Sequence, residues 1–372
     1  MRVPFLDLRR VNATFLKPVQ QAVDEATSRS MFVGGSLLTD FESRYAIYCA
    51  TRFAVGTSSG TSALRLALLA CGVRAGDEVI TVPNTFIATV EAISMTAAKP
   101  VLVDIDLKTG NMDVSRVGSV LTPNVKAVIP VHLYGNPCDM AALLEAVSGR
   151  NIMIIEDACQ AHGAEYLVSG GGARVGSKGL AGCFSFYPTK NLGAFGEGGI
   201  VVTDSENVAE KLRMLRDHGQ KEKHVHEIEG SNERLHSLQA AVLGIKLEVL
   251  DEWNEERRRI ARVYSELLEG LPLEIPQPAA DSRPVYHLYA IRSEERDSLK
   301  SFLASRGVDT AIHYPTPVHL QPAYSHLGYK RGDFPLAEKW ADSVLSLPMF
   351  IGLRQDEIEY VADTIRTFYG GA

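Results

Sequence analysis

The sequence predicts an α/β protein with a large domain, built on a mainly parallel central sheet flanked by helices, and a smaller α/β domain. Through the first two-thirds of the chain, short runs rich in Val and Ile alternate with helical patterns, as is typical of a parallel sheet covered on both faces. After about residue 245 a long charged helical pattern replaces this alternation. We therefore predict domains at 1–245 and 246–372, and leave open whether the N-terminal segment packs on the smaller one.

The predicted strands of the large domain are apolar almost without interruption. Near-continuous apolar runs of this length, bounded by turn residues, suit strands that are buried on both faces. They are RFAVGT (52–57), DEVITVP (77–83), KPVLVDID (99–106), VKAVIPVH (125–132) and NIMIIEDA (151–158). The helical patterns between them are SALRLALLACG (62–72), TFIATVEAISMTA (85–97) and DMAALLEAVSGR (139–150).

The C-terminal third has its own set of predicted elements. A charged helix is predicted over 246–270, before a segment punctuated by proline. A strand over 285–292, a helix over 296–307 and a final helix over 354–369 complete the smaller domain.

Composition excludes several classes of protein. The chain has 372 residues, 45% hydrophobic and 22% charged, with a formal net charge of -7, which argues against a nucleic-acid partner because such proteins usually carry a basic excess. The cysteines are scattered without a CxxC pair, so we expect no disulfide framework and no metal site. No apolar run approaches the length of a membrane span, and the N-terminus lacks the apolar core of a signal peptide. We expect a cytoplasmic protein with no membrane partner.

One loop has the composition of a phosphate-binding site. The segment AVGTSSGTSAL (54–64) joins a predicted strand to a predicted helix through Gly, Ser and Thr. Small residues let backbone N–H groups approach an anion, and the helix N-terminus adds partial positive charge. The alternative is that Ser and Thr only cap the helix. No Walker lysine follows, and the glycine spacing does not fit a dinucleotide fingerprint.

Two more loops carry a carboxylate and a lysine. Asp157 ends the apolar strand NIMII, and Lys190 follows Pro188 and precedes a run of glycines. Asp157 is either a helix cap or a carboxylate that keeps a heteroaromatic nitrogen protonated. Lys190 is either a solvated charge or a desolvated nucleophile. Together, a phosphate cup, a strand-end Asp and a turn lysine match the three needs of pyridoxal 5'-phosphate (PLP): phosphate anchoring, protonation of the pyridine and capture of the aldehyde.

With these motifs the chain resembles the sugar aminotransferases of the DegT/DnrJ/EryC1/StrS family, which are PLP enzymes of the aspartate aminotransferase fold type I. The similarity extends nearly from end to end. The matching stretches include VPFLDL, GTSSGTSAL, GDEVITVPNTFIAT, PVHLYG, EDACQAHGA, CFSFYPTKNLGAFGEGG, RLHSLQAAVL, IHYPTPVHLQPAY and GDFPLAE. The chain departs from the family pattern at His236, where Asp is common, and at Glu197, within GEGG.

The resemblance implies roles around the cofactor ring. Lys190 would bind the cofactor covalently, Asp157 would pair with the pyridine nitrogen, and Gln160 would lie near the ring hydroxyl. Phe86 would stack on the face of the ring.

The resemblance also implies a phosphate site that two subunits share. Gly60, Thr61 and Ser185 would bind the phosphate within one chain. Asn232 would reach it from a neighbouring subunit, so the family leads us to expect a homodimer with active sites at its interface.

The implied reaction moves an amino group from an amino acid, by resemblance L-glutamate, to a keto-sugar that we expect to be a nucleotide-linked keto-deoxyhexose. Lys190 would act as general base and acid. A cyclitol (inosose-type) aminotransferase remains an alternative. A PLP-dependent sugar dehydratase or a non-catalytic regulatory homologue is less favoured, because such dehydratases replace the lysine by histidine and a regulator would be expected to lose Asp157 or Lys190.

The substrate residues are the least determined by the sequence. Arg234 is a candidate for the donor carboxylate, and His313, Tyr314 and His319 are candidates for sugar hydroxyls or a diphosphate. For each of them a packed, hydrogen-bonded loop side chain is an equally good interpretation.

Overall fold

The structure, a computed structural model, describes residues 1–168, 171–279 and 281–370. Its α-helices are α1 (Leu8–Asn12), α2 (Leu16–Ser28), α3 (Ser36–Tyr48), α4 (Gly60–Ala70), α5 (Ala88–Ser94), α6 (Met140–Ala146), α7 (Glu206–Leu215), α8 (Ser237–Leu247), α9 (Leu250–Leu268), α10 (Arg296–Ser305), α11 (Pro335–Ser343) and α12 (Gln355–Phe368). Short 3-10 helices lie at Ala13–Phe15, Val114–Val120, Leu133–Gly135, Val318–Leu320 and Pro322–Leu327.

The strands of the same residues are β1 (Phe53–Thr57), β2 (Glu78–Thr81), β3 (Lys99–Leu102), β4 (Val125–Val128), β5 (Met153–Asp157), β6 (Glu165–Val168), β7 (Gly171–Arg174), β8 (Ala181–Ser185), β9 (Gly199–Thr203), β10 (Gln220–Glu222), β11 (Val225–His226), β12 (Ser282–Arg283), β13 (Tyr289–Arg292) and β14 (Val344–Leu347).

The largest sheet among the described residues has the strand order β1-β9-β8-β5-β4-β2-β3. Its pairs from β3 to β8 are parallel, whereas β9 runs antiparallel to both β1 and β8. All five strands that the apolar runs predict are present in it. The predicted mainly parallel sheet flanked by helices is therefore confirmed.

Both faces of this sheet are covered, as the continuous apolar runs require. In β5, Ile154 belongs to one hydrophobic cluster and the next residue, Ile155, to another. Successive side chains of a strand point to opposite faces, so each cluster fills one side of the sheet. The helix α4 packs on the side of Ile155, with Leu64 in the same cluster.

A separate cluster fills the C-terminal part of the chain. It joins α9, α10 and α12 to the antiparallel pair β13–β14. Val3 belongs to this cluster and forms a parallel bridge with Val308, and Arg10 pairs with Glu357 at 2.8 Å. The N-terminal segment thus packs on the C-terminal elements, while the domain division at residue 245 stays a prediction.

Two sequence predictions for this region are wrong in detail. The helix predicted over 246–270 is interrupted, because α8 ends at Leu247 and α9 begins at Leu250 after Val249 takes φ -114° and ψ 5°. The strand predicted over 285–292 is confined to Tyr289–Arg292, since Val285 instead donates its backbone N–H to Gly135 O. In the described ranges, no helix is long and apolar enough to cross a membrane.

Candidate active site

A cavity of about 510 Å³ lies at the carboxyl ends of the parallel strands, where open α/β sheets bind their ligands. Loops that follow β1, β2, β4, β5 and β8 form one wall, and residues 287–288 and 313–314 of the C-terminal part form another. The predicted site residues that line it are Gly60, Thr61, Phe86, Asp157, Gln160, Ser185, Lys190, His313 and Tyr314.

The phosphate cup predicted at the loop after β1 is built as a strand–turn–helix. Ser59 caps α4 by accepting the Ser62 N–H at 3.1 Å, so the capping interpretation holds for this residue. Gly60 starts the helix, and a Cβ there would lie 2.6 Å from Ser185 Cβ and 3.1 Å from Ser185 Oγ. The absence of a Cβ therefore lets the helix N-terminus and the Ser185 hydroxyl meet, which concentrates donors and positive partial charge in one place.

Asp157 lies at the end of β5 and is 6% exposed. Its Oδ2 accepts the Thr89 hydroxyl at 2.7 Å, and its Oδ1 accepts the Cys159 N–H at 3.2 Å. Thr89 in turn is 2.7 Å from the Thr85 hydroxyl. Because Thr89 uses its own proton on the carboxylate, Thr85 donates to Thr89. The buried carboxylate is thus held in one orientation while it lines the cavity.

Lys190 lies in a tight turn. Its backbone N–H donates to Tyr187 O at 2.9 Å, and a Cβ at Gly193 would lie 2.4 Å from Pro188 O. The side chain is half-buried, and removal of the ammonium group from water lowers the pKa of Lys190, although the Asp157 carboxylate acts in the opposite direction. Burial therefore makes the neutral amine of Lys190 easier to reach than that of a lysine in water.

The helix α9 contacts this turn and the opposite wall. Asn191, next to the lysine, donates to Asn254 Oδ1 at 2.9 Å, and Asn254 donates to His162 O at 2.9 Å. One turn later, Arg257 donates to the carbonyl oxygens of Tyr286 and His287 at 3.1 and 3.3 Å. One helix therefore positions both the lysine turn and residues 286–287.

The cavity edge carries an amide and two aromatic rings. Gln160 Oε1 accepts the Tyr134 N–H at 2.6 Å, and its Nε2 donates to the Tyr314 hydroxyl at 3.3 Å. Phe86 is exposed, and its ring centroid lies 5.6 Å from that of Tyr314. The Glu197 side chain is also exposed and lines the cavity.

Buried histidines support the site, and sequence reasoning missed their part in it. His162 is hydrogen-bonded to Ser185 O and to the Tyr45 hydroxyl, each at 2.8 Å, and burial lowers the pKa of His162 to about 3. His132 accepts the Cys138 N–H at 2.9 Å and lies 3.1 Å from Glu156 Oε2. Both lie within the quoted motifs EDACQAHGA and PVHLYG, which was the available signal.

Three predicted residues do not line this cavity. Asn232 is exposed, and its backbone forms an isolated antiparallel β-bridge with Asp217. The Arg234 side chain forms an ion pair with the carboxylate of Asp217. His319 is buried and lies 3.0 Å from Glu338 Oε1. Within a single chain they contribute nothing to the cavity wall, and their roles stay predictions.

The residues present fit PLP. The cup supplies backbone and hydroxyl donors for a phosphate, Asp157 supplies a carboxylate for a pyridine nitrogen, and Lys190 supplies an amine with a lowered pKa. In the parts of the chain that are described, no group of three His, Cys, Asp or Glu side chains could hold a metal ion. Fold and site together define a PLP-dependent enzyme.

Comparison with known proteins gives the family. Residues 16–366 match the model of the DegT/DnrJ/EryC1/StrS aminotransferase family, and the chain belongs to that family, whose members use PLP. The predicted family, fold type, enzyme class and cofactor are confirmed.

Similar proteins match over almost their whole length. The dTDP-3-amino-3,4,6-trideoxy-alpha-D-glucose transaminase of Streptomyces venezuelae is 44% identical over 366 residues, 98% of this chain and 96% of its own. A pleiotropic regulatory protein of Geobacillus stearothermophilus is 42% identical over 372 residues, 99% of each chain. The crystal structure of S. venezuelae DesV in complex with a ketimine intermediate superposes with a TM-score of 0.97 at 44% identity, over 100% of this chain and 99% of that one.

Proposed function

We propose that this aminotransferase moves the amino group of L-glutamate to a nucleotide-linked keto-deoxyhexose. One observation carries the proposal: a cavity of about 510 Å³ joins Lys190 and Asp157 to a wall of imidazole and phenol side chains, which suit a hydroxylated acceptor. The S. venezuelae relative, whose name states a dTDP-linked amino sugar, supports the choice of a nucleotide-linked acceptor. A cyclitol acceptor remains an outcome for the experiment, and the lysine at position 190 speaks against a dehydratase.

When bound, PLP supplies an electron sink for the carbon that loses or gains a proton. The chain supplies the proton transfer. The lowered pKa of Lys190 would help its amine to accept a proton from the donor's α-carbon and, as the ammonium, to give that proton up again within the same half-reaction. In the second half-reaction the same amine would carry a proton in the reverse direction, to the acceptor carbon. Asp157, held by Thr89 and Cys159, presents its carboxyl group to the cavity, where as a carboxylate it would stabilise a protonated ring nitrogen.

We also propose that a second copy of the chain completes each site. Asn232 lies in a segment beside the phosphate cup. In that segment Glu233 O accepts the Ser58 backbone N–H at 2.9 Å, and Arg234 forms an isolated antiparallel β-bridge with Thr57. The Asn232 side chain is exposed and outside the cavity of its own chain. It is therefore available to the cup of a partner. We expect Asn232→Ala to bind PLP more weakly while it remains a dimer in sedimentation. An unchanged affinity for PLP would argue against a role of Asn232 in the partner's site.

The experiment that tests the substrate combines purified protein, PLP and L-glutamate with a panel of dTDP-, UDP- and GDP-linked 3- and 4-keto-sugars and inososes, read by mass. Conversion of a nucleotide keto-sugar supports the proposal, and conversion of an inosose alone refutes it. Lys190→Ala is the matched control, and we expect its turnover to fall at least about 10⁴-fold because both proton transfers depend on that amine. Wild-type turnover in this variant would refute the assignment of Lys190.

A further inference from the structure

Arg65 makes an ion pair to which the proposed mechanism gives no task. It lies on α4, the helix that begins at Gly60 in the phosphate cup. Its Nη2 donates to Ser231 Oγ at 2.8 Å and pairs with the Glu233 carboxylate. Ser231 Oγ in turn donates to Glu233 Oε1 at 2.5 Å. The Arg65 and Glu233 side chains are 23% and 15% exposed, so water screens this pair less than a pair on the open surface.

The two residues that Arg65 bonds lie on either side of Asn232. This segment is extended, because Asn232, Arg234 and His236 each form an isolated antiparallel β-bridge. Successive side chains of an extended chain point to opposite sides. Ser231 and Glu233 therefore face α4, whereas Asn232 between them faces away from it, and its side chain is exposed.

We infer that Arg65 positions Asn232 for the phosphate cup of a partner subunit. Because Arg65 bonds the residues on both sides of Asn232, it holds the backbone there and sets the direction in which the Asn232 amide projects. The inference rests on the proposed shared site, in which Asn232 reaches the phosphate bound by a second copy of the chain. Arg65 is then a positioning residue, which acts on that phosphate only through Asn232. One helix serves two cups, its own through its N-terminus and the partner's through Arg65.

The first measurement is the Kd of PLP from equilibrium dialysis. Arg65→Met keeps the aliphatic stem and removes the guanidinium, and we expect the Kd to rise by about 3- to 10-fold because a hydrogen bond to a charged phosphate is misaligned. Arg65→Lys should recover part of the loss. Arg65→Met in an Asn232→Ala background should cause no further loss, since the two changes remove the same contact. Arg366→Met, which breaks a half-buried pair with Asp363 at 3.0 Å, is the matched control and should leave the Kd unchanged.

The second measurement separates the two chains in hybrid dimers that carry different affinity tags. Lys190→Ala in one chain leaves only the other chain able to bind PLP covalently, so the absorbance of covalently bound PLP reports on one cup. In the first hybrid, Arg65→Met lies in the chain that keeps Lys190. Its cup receives Asn232 from the other chain, where Arg65 is intact, and we expect wild-type affinity.

In the second hybrid, Arg65→Met and Lys190→Ala share one chain. The cup that is measured then belongs to the wild-type chain but receives Asn232 from the altered one, and we expect PLP to bind about 3- to 10-fold more weakly. Weaker binding in the first hybrid, or equal binding in both, would overturn the inference, because Arg65 would then act within its own chain or not at all.

Asn232→Ala in the same two arrangements tests the shared site itself. If Asn232→Ala weakens only the second hybrid and Arg65→Met does not, the inference alone fails. If Asn232→Ala weakens the first hybrid or neither, the proposed shared site fails, and the inference fails with it. Ser231→Ala removes one of the two bonds of Arg65 and should have a smaller effect in the same direction, which keeps the test available if Arg65→Met does not fold. Circular dichroism and sedimentation establish that each dimer is folded and intact.

Discussion

Thr89 is the side chain through which the orientation of Asp157 can be perturbed with little other change. Its hydroxyl donates to Asp157 Oδ2 at 2.7 Å and accepts from Thr85. Thr89→Val removes the hydroxyl and keeps the β-branched shape. Of the two hydrogen bonds to Asp157 described above, only the one from the Cys159 N–H, at 3.2 Å, then remains. The buried carboxylate is left with fewer donors and a freer side-chain torsion.

The expected size follows from the type of bond that is lost. A hydrogen bond to a charged group contributes about 1.5–3 kcal/mol, and a neutral one about 0.5–1.5 kcal/mol. A loss of about 2 kcal/mol in the interaction of Asp157 with the ring nitrogen corresponds to about a 30-fold decrease in kcat. Thr85→Val is the matched control because it removes only the neutral bond to Thr89, and we expect a decrease of at most about 3-fold.

The assay is the single-turnover rate with glutamate at saturating PLP, together with the Kd of PLP from equilibrium dialysis. Thr89→Val should show both a slower rate and weaker PLP binding, while Thr85→Val should resemble the wild-type enzyme. The reasoning would be refuted if the two variants lost the same activity, or if Thr89→Val, folded by circular dichroism, kept the wild-type rate.

Two further predictions concern the cup and its support. Gly60→Ala places a methyl group 2.6 Å from Ser185 Cβ, so Ser185 must move and the Kd of PLP should rise by about 10-fold or more; an unchanged Kd in dialysis would contradict the close approach. His162 has a pKa of about 3 in the folded protein and about 6.5 when unfolded, so only the unfolded chain gains a proton between these values. Its contribution to the free energy of unfolding is complete above pH 6.5 and lost as pH falls towards 3. The free energy of unfolding, measured in urea at pH 7.5 and 5.0, should fall less between these two values in His162→Gln than in the wild-type protein. An equal fall in both proteins would exclude His162 as the source of the pH dependence.

The sequence was sufficient to predict those site residues whose role depends on their neighbours in the chain. The cup at Gly60 and the carboxylate at Asp157 each follow directly after an apolar strand, and parallel strands bring such loops to one edge. Thr89 could not be assigned in this way. Thr89 meets Asp157 across 68 residues, and no periodicity encodes that contact.

The two element predictions that were wrong in detail, the helix over 246–270 and the strand over 285–292, had weak local signals. The break between α8 and α9 occurs at Val249, where no Gly or Pro marks it. Asn232 was predicted from the family pattern and His319 from its polar ring in a C-terminal loop. Neither signal says which cavity a side chain faces, and both roles stay predictions. Whether Asn232 serves a neighbouring chain depends on packing between copies, and nothing in one sequence specifies that geometry.

Two contacts of α9 connect the lysine turn to residues 286–287. Asn254 bonds to the residue beside the lysine, and Arg257 bonds to the backbone of 286–287. These anchors are three positions apart, about 4.5 Å along a helix axis. The regular rise of one helix therefore fixes the placement of the lysine turn relative to the backbone of residues 286–287. Because Arg257 bonds to backbone oxygens, the side chains of residues 286–287 can be exchanged without removing this anchor.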